Sequence, residues 1–437
     1  MSFFTPPMLA ALDLWSTWTV ADSHLGFLKI DSRRIEPGDI FFAWPGENVD
    51  GHLFCHDALQ RGAKCIISQK PVPVPDGCSL FVSKFSAEET IRLLAGIWRQ
   101  NFQIPLLAIG GSAGKTTTKE YARALLRTLG HQVHATEASH NGYLGIALTL
   151  LGLREHHTVG VIEIGIDQIG AMQEHVALVQ PQAATIVSLG PEHMEFFLSM
   201  DAVTREELFL LDWTVHHGGK AHVNIDEPAL QAWHKHHLEQ PTYGLNPPAS
   251  GTYDGTHLHT HGQSVALYGK HNARNFLAAL SLTAPFGLPS FEQTMEHFEQ
   301  PFSRSSVREE ENGSLTIFDC YNAQPSSMKA GFALLHHLHQ GRPGKKIAFL
   351  GDMLELGDAS ATYHQELIPD LLQIDVVYLF GPEMCRMSQS FKHPQLYASL
   401  TIDTLPPLPL PGDTVLIKGS RGMHLEHIYK ALYGKDT

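Results

Sequence analysis

The chain has 437 residues, too many for one ordinary hydrophobic core, so roughly two to four domains are expected. Its 43% hydrophobic and 17% charged content is that of a globular protein, and no apolar run approaches membrane-spanning length. A formal charge of −14 excludes nonspecific nucleic-acid binding, so any anionic ligand must be met by locally gathered basic residues.

Residues 1–103 read as a small α/β domain. Pro37-Gly38 marks a turn, Ile40 to Ala43 a short buried strand, Asp57 to Gly62 a helix closed by glycine, and Lys64 to Ser68 a further strand. Ser32 and Arg33 could bind an anion such as a diphosphate. By pattern alone they form a capped turn with a solvated arginine.

Residues 104–297 are organised around Ala108 to Thr118. An apolar strand, Pro105 to Ile109, runs into glycines, then Lys115 and three threonines, then a helix from Lys119 to Leu129. In such a turn backbone N–H groups converge on phosphate oxygens and the helix N-terminus adds positive potential. Lys115 is a mobile cation, and Thr116 can ligate Mg²⁺. Ile109 stands where the eight-residue Walker pattern has its first glycine. Val133 to Ala135 is a strand, Asn141 to Gly145 a loop, and a helix begins at Ile146. The apolar strand Val159 to Gly165 carries Glu163 between isoleucines, where a carboxylate is costly unless paired or metal-bound. After a phosphate loop, a magnesium role is favoured over a buried salt bridge.

Ala183 to Leu189 is the next strand, with Glu192 and His193 beyond its end. Open α/β sheets bind ligands past the C-terminal ends of their strands, so the loop, Glu163 and His193 are expected to converge. A capping role is the alternative for His193. In the segment that follows, His257, His259 and His261 would share one face of a strand, a ligand-like array. With 28 histidines in the chain, including pairs such as His156-His157, general abundance is the stronger explanation and no zinc site is expected. Lys270 to Asn275 then opens an alanine-rich helix, with Asn272 and Asn275 available to a base edge.

Residues 298–437 repeat the alternation. Leu315 to Phe318 ends in Asp319-Cys-Tyr-Asn-Ala-Gln-Pro325, and a helix spans Ser326 to Leu338. Lys346 to Leu350 ends in Gly351-Asp-Met-Leu-Glu-Leu-Gly357. Val376 to Phe380 is a strand, and Thr414 to Ile417 leads into Lys418-Gly-Ser-Arg421. Polar residues at the strand ends suggest a Rossmann-like sheet with one active edge. The stretches 341–344 and 406–411 read as surface connections. Five scattered cysteines without a CxxC pair, and no basic-then-apolar start, point to a cytoplasmic protein without membrane insertion.

In this order, the stretches resemble the Mur ligase family of peptidoglycan synthesis over essentially the whole chain. Gly111 to Thr117, Glu163, His193 and His271-Asn272…Asn275 match its general pattern. Asp31-Ser-Arg33…Pro37-Gly-Asp39 is similar to members adding the third residue or a dipeptide. Asp319 to Pro325 and Gly351 to Gly357 are similar to the dipeptide-adding members. The resemblance implies an α/β protein of three domains: a small N-terminal UDP-substrate domain, a central P-loop-type ATPase domain with a mostly parallel sheet, and a C-terminal Rossmann-like domain. It implies an ATP- and Mg²⁺-dependent ligase, most simply a monomer, joining UDP-N-acetylmuramoyl-tripeptide to D-alanyl-D-alanine through an acyl phosphate. A ligase for another amino acid, or a nucleotide-binding homologue with impaired catalysis, are the alternatives.

The implied roles follow residue by residue. Gly111, Ser112, Gly114, Lys115, Thr116 and Thr117 would hold the ATP phosphates. Asn272 and Asn275 would face the adenine, and Arg304, Asp319 and Asn322 would reach ATP from the third domain. Thr116 and Glu163 would serve one magnesium and His193 a second. Lys115, Glu163, His193, Arg304 and Lys418 would carry catalysis, with Ser32 and Arg33 near UDP and Asp352 and Arg421 near the dipeptide. Three positions depart from the family pattern: Gly110 stands for threonine, Ala113 for asparagine, and Arg205 for a lysine carbamylated to hold metal. Arginine stays protonated and cannot ligate a metal, so either another ligand such as Glu206 or Glu195 substitutes or one magnesium binds weakly.

Overall fold

The structure is a computed structural model describing residues 4–21, 25–46, 49–299, 304, 306–399 and 408–434. The chain forms two compact units, one of residues 1–103 with 143–153, the other of 104–142 with 154–437. In the first, Leu28–Lys29, Ile40–Phe42, Cys65–Ser68 and Ser79–Ser83 pair in parallel, and Trp15–Thr19 adds an antiparallel edge. The helix Ala87–Arg99 opens with a reciprocal cap: Ser86 accepts from the Glu89 N–H and the Glu89 carboxylate accepts from the Ser86 N–H. The helix expected from Ile146 begins at Tyr143 and packs against Ala87–Arg99, so this stretch leaves the central segment to join the first unit.

The second unit holds two six-stranded sheets. The central one is wholly parallel, in the order Thr242–Tyr243, Lys220–Asn224, Ala183–Ile186, Leu106–Gly110, Val159–Glu163, Val133–Ala135. Leu106–Gly110, Val159–Glu163 and Ala183–Ile186 are buried along their whole length, which is why they read as continuous apolar runs. The helices Lys115–Thr128 and Lys270–Thr283 pack on each other beside the sheet, joined through Tyr121, Leu125, Phe276 and Leu277. In the second sheet, Leu315–Asp319, Thr414–Lys418, Lys346–Gly351, Val376–Phe380 and Leu396–Ser399 run parallel, with Ser306–Glu309 as an antiparallel edge. Among the described residues no helix is long and apolar enough to cross a membrane.

Two local expectations are corrected. The helix after the phosphate loop begins at Lys115 rather than Lys119, because the left-handed Gly114 ends the loop and the threonines already form the first turn. His257 and His259 sit on the exposed face of a strand, His259 pairing with Asp254 at 3.1 Å, but His261 falls in the following turn with φ 51°. Of the proline-rich run at 406–411, Pro406 and Pro407 lie outside the described residues.

Candidate active site

Strand register builds the site. Ile109 pairs with Glu163 on one side and Thr185 on the other, so the Glu163 carboxylate emerges beside the phosphate loop. Gly111 has φ 111°, and a Cβ there would lie 2.7 Å from the Ser188 carbonyl oxygen, so only glycine lets the loop approach that segment. The N–H groups of Gly111, Ser112 and Ala113 donate to Glu207 Oε2 (2.8 Å), the Ser188 carbonyl (2.9 Å) and Ser188 Oγ (3.0 Å). These amides were expected to face phosphate; they brace the loop instead. What remains for an anion is the first turn of Lys115–Thr128, whose N–H groups have no intrahelical acceptor, together with Lys115 itself.

Glu163 is fully buried. Its Oε1 accepts from Thr116 Oγ1 (3.0 Å) and Asn141 Nδ2 (2.7 Å). Its Oε2 makes no hydrogen bond and lies 3.8 Å from the ammonium of the equally buried Lys119. Lys119 also donates to the carbonyls of Thr136 (2.7 Å) and Ala138, pinning the stretch that carries Ser139 and Asn141. The hydroxyl of Thr116 and the open carboxylate oxygen of Glu163 are hard oxygen donors that fit Mg²⁺. Among the described residues no three His, Cys, Asp or Glu side chains converge on one point. Magnesium, which keeps waters and takes substrate phosphates, does not need such a cage.

Lys115 Nζ donates to the Gly111 carbonyl at 2.5 Å and faces Glu192 at 3.6 Å. Burial alone would lower its pKa, but the carboxylates of Glu192, Glu207 and Glu163 outweigh that and raise it. The Glu207 carboxyl, buried and beside Glu192, is pushed up to about 8. His193 Nδ1 lies 3.1 Å from Glu355 Oε2, a hydrogen bond that raises the histidine above its ordinary value against the opposing effect of burial. In the second sheet Asp319 pairs in register with Lys418, and Lys418 Nζ meets the Asp319 carboxylate at 2.6 Å and the Asn322 carbonyl at 3.2 Å.

Two cavities of about 240 and 370 Å³ meet here, sharing Ser112, Ala113, Gly114, Arg304 and Asn322 as walls. The smaller is bounded by Thr117, Asn272, Asn275, Asp319 and Lys418; the larger by Lys115, Glu163, His193, Glu355 and Arg421. Arg304 lies over the Tyr321 ring at 4.0 Å and donates to Ser139 Oγ at 3.1 Å, tying the third segment to the central one. Asp352 is not brought into either cavity. Its buried carboxylate accepts from the N–H groups of Glu383 (3.1 Å) and Met384 (2.8 Å), capping Pro382–Ser388. Ser32 and Arg33 belong to the other unit, where Ser32 is buried and exposed Arg33 pairs with Asp31 at 2.8 Å.

Sequence reasoning did not single out Lys119, Glu207, Ser139 or Tyr321, and named Glu355 only within its motif. For Lys119 no local signal existed, since its partners are the carbonyls of Thr136 and Ala138 in a later segment. Arg205 is exposed, its Nε donating to the Asp201 carbonyl at 3.3 Å. Glu206 caps the helix Ala171–Val179 through the N–H groups of Gly170 and Met172.

A brace of this kind, a glycine turn at the edge of a parallel sheet with a second α/β sheet supplying the facing wall, defines a nucleotide-using α/β protein. Three family models match in chain order: the Mur ligase family catalytic domain at residues 24–95, the Mur ligase middle domain at 109–283, and the Mur ligase glutamate ligase domain at 303–421. The chain is 32% identical to the UDP-N-acetylmuramoyl-tripeptide--D-alanyl-D-alanine ligase of Treponema pallidum, covering 92% of each, and 30% identical to that of Bacillus subtilis, again covering 92% of each. The crystal structure of MurF from Acinetobacter baumannii superposes with a TM-score of 0.82 at 25% identity, over 99% of both chains. The chain belongs to the Mur ligase family.

Proposed function

We propose that this protein is an ATP-dependent amide-forming ligase that joins D-alanyl-D-alanine to the terminal carboxylate of UDP-N-acetylmuramoyl-tripeptide. The observation that carries the reading is the pair of joined cavities, with asparagines suited to a base in one and Lys115, Glu163 and Arg421 in the other. Ser112, Gly114 and Arg304 stand at their shared wall, where a γ-phosphate would sit. The tripeptide carboxylate attacks the γ-phosphorus, forming a C–O–P bond as the bond to ADP breaks. The dipeptide amine then attacks the acyl carbon, and phosphate leaves from the tetrahedral intermediate as the amine loses its proton.

No enzyme nucleophile is required; the chain's residues position and neutralise charge. Lys115 exchanges the Gly111 carbonyl for phosphate oxygens, Arg304 meets the transferring group, and Lys418, held by Asp319, adds positive potential from the third segment. Asn272 and Asn275 orient the base, with Thr117 at the loop end of that cavity. Thr116 and Glu163 would hold one Mg²⁺ and His193 another, ions that supply charge stabilisation to the phosphoryl oxygens when bound. Ser32 and Arg33 take the UDP end, which requires Arg33 to leave Asp31. We divide the chain into domains at 1–103, 104–297 and 298–437, with the helix Tyr143–Leu151 of the central stretch belonging to the first compact unit, and read it as a cytoplasmic monomer.

Phosphate release from purified protein with ATP tests the reading. Release should require both UDP-N-acetylmuramoyl-tripeptide and D-alanyl-D-alanine. Release with a different amine would mark another acceptor, and none under any combination would mark a nucleotide-binding protein without ligation.

A further inference from the structure

Glu355 follows the strand Lys346–Gly351 and reaches across to His193 in the central segment. Both residues hold left-handed backbone, with φ 65° and φ 47°, although neither is glycine. Such conformations are strained for a residue with a side chain and persist where the surroundings over-determine them, commonly at functional sites. The docking is held by main chain as well: the Met194 N–H donates to the Glu355 carbonyl at 3.1 Å. Gly357 runs so close to Glu195 that a Cβ there would lie 3.2 Å from its nitrogen. The backbone, not the ion pair alone, therefore sets the two side chains face to face.

Their separation has a chemical meaning. Magnesium prefers oxygen ligands in an octahedron at about 2.0–2.1 Å, so two adjacent ligands on one ion stand about 3 Å apart. His193 Nδ1 and Glu355 Oε2 are 3.1 Å apart and open into the same cavity as Lys115 and Glu163. A single imidazole holds this hard cation poorly and needs a carboxylate partner. Glu192, buried in the wall of that cavity, has one carboxylate oxygen, Oε1, that makes no hydrogen bond and is available to a metal-bound water. Arg205 points to solvent and Glu206 is committed to its helix cap, so neither supplies the missing oxygen.

We propose that Glu355 is a ligand of the second magnesium together with His193, so that the third segment contributes an atom to the metal site and the ion binds fully only when that segment is docked. The proposal rests on the ATP·Mg²⁺ reading above. Manganese is the probe, counted by electron paramagnetic resonance on the full chain with a non-hydrolysable ATP analogue. Wild type should bind about two Mn²⁺ per chain, and Glu355→Gln about one. Glutamine can still accept the His193 hydrogen bond, so an unchanged denaturation midpoint shows that the segment remains docked and that the carboxylate was the ligand. Nitrogen coupling to the second Mn²⁺ should disappear in the same variant. About two Mn²⁺ retained in Glu355→Gln, with affinity within threefold of wild type, would overturn the proposal, as would a wild type that binds nucleotide with only one Mn²⁺. Failure of wild type to bind the nucleotide at all would overturn the proposed function instead.

Discussion

Glu207 shows how a buried carboxyl braces the glycine loop. It accepts the Gly111 N–H, yet its Oε1 makes no hydrogen bond, and burial beside Glu192 pushes its pKa from 4.5 to about 8. The sign follows from proton counting. Between roughly pH 5 and 8 the folded chain keeps a proton that the unfolded chain has released, so this group's contribution to stability is greatest below pH 4.5 and is lost as pH rises toward 8. Urea denaturation at stepped pH should therefore show wild type losing stability faster than Glu207→Gln, by up to about 1 kcal/mol per pH unit. Parallel slopes for the two proteins would contradict this.

At the scale of elements, the packing around the glycine loop gives a reason for glycine at position 110. A Cβ on Gly110 would stand 2.8 Å from Glu207 Oε2 and 2.9 Å from Leu210 Cδ2, both on the helix Met200–His216. Threonine, which the resemblance leads one to expect, is overpacked here, and Gly110→Thr should cost about 1–3 kcal/mol in a denaturation measurement. No loss would mean that the helix yields freely. Ala113 is similarly supported from outside, since Ser188 Oγ accepts its N–H and donates to its carbonyl, both at 3.0 Å.

The strands and the polar residues at their ends were legible in the sequence, because buried parallel strands make apolar runs and ligands gather where they stop. Glu163 could be flagged from its isoleucine neighbours alone. The braces were not legible. Lys119 reads as an ordinary helical lysine until Thr136 and Ala138 fold beneath it. Asp352 reads as a site residue until the helix Pro382–Ser388 claims its carboxylate. Each depends on a partner many residues away in the chain, which local pattern cannot supply.

For the whole molecule, the proposed ATP site is a property of two segments rather than of the loop. Arg304 reaches Ser139, Glu355 reaches His193, and Lys418 is aimed by Asp319, so the central sheet supplies the cradle and the second sheet the facing charges. A ligase of this design should form no product from either substrate alone. The direct measurement is mass spectrometry of the UDP-linked tripeptide after incubation with ATP, Mg²⁺ and D-alanyl-D-alanine. The expected result is conversion to the species extended by the dipeptide, with one ADP formed per product molecule. An unmodified UDP-tripeptide, with or without ADP formation, would contradict it.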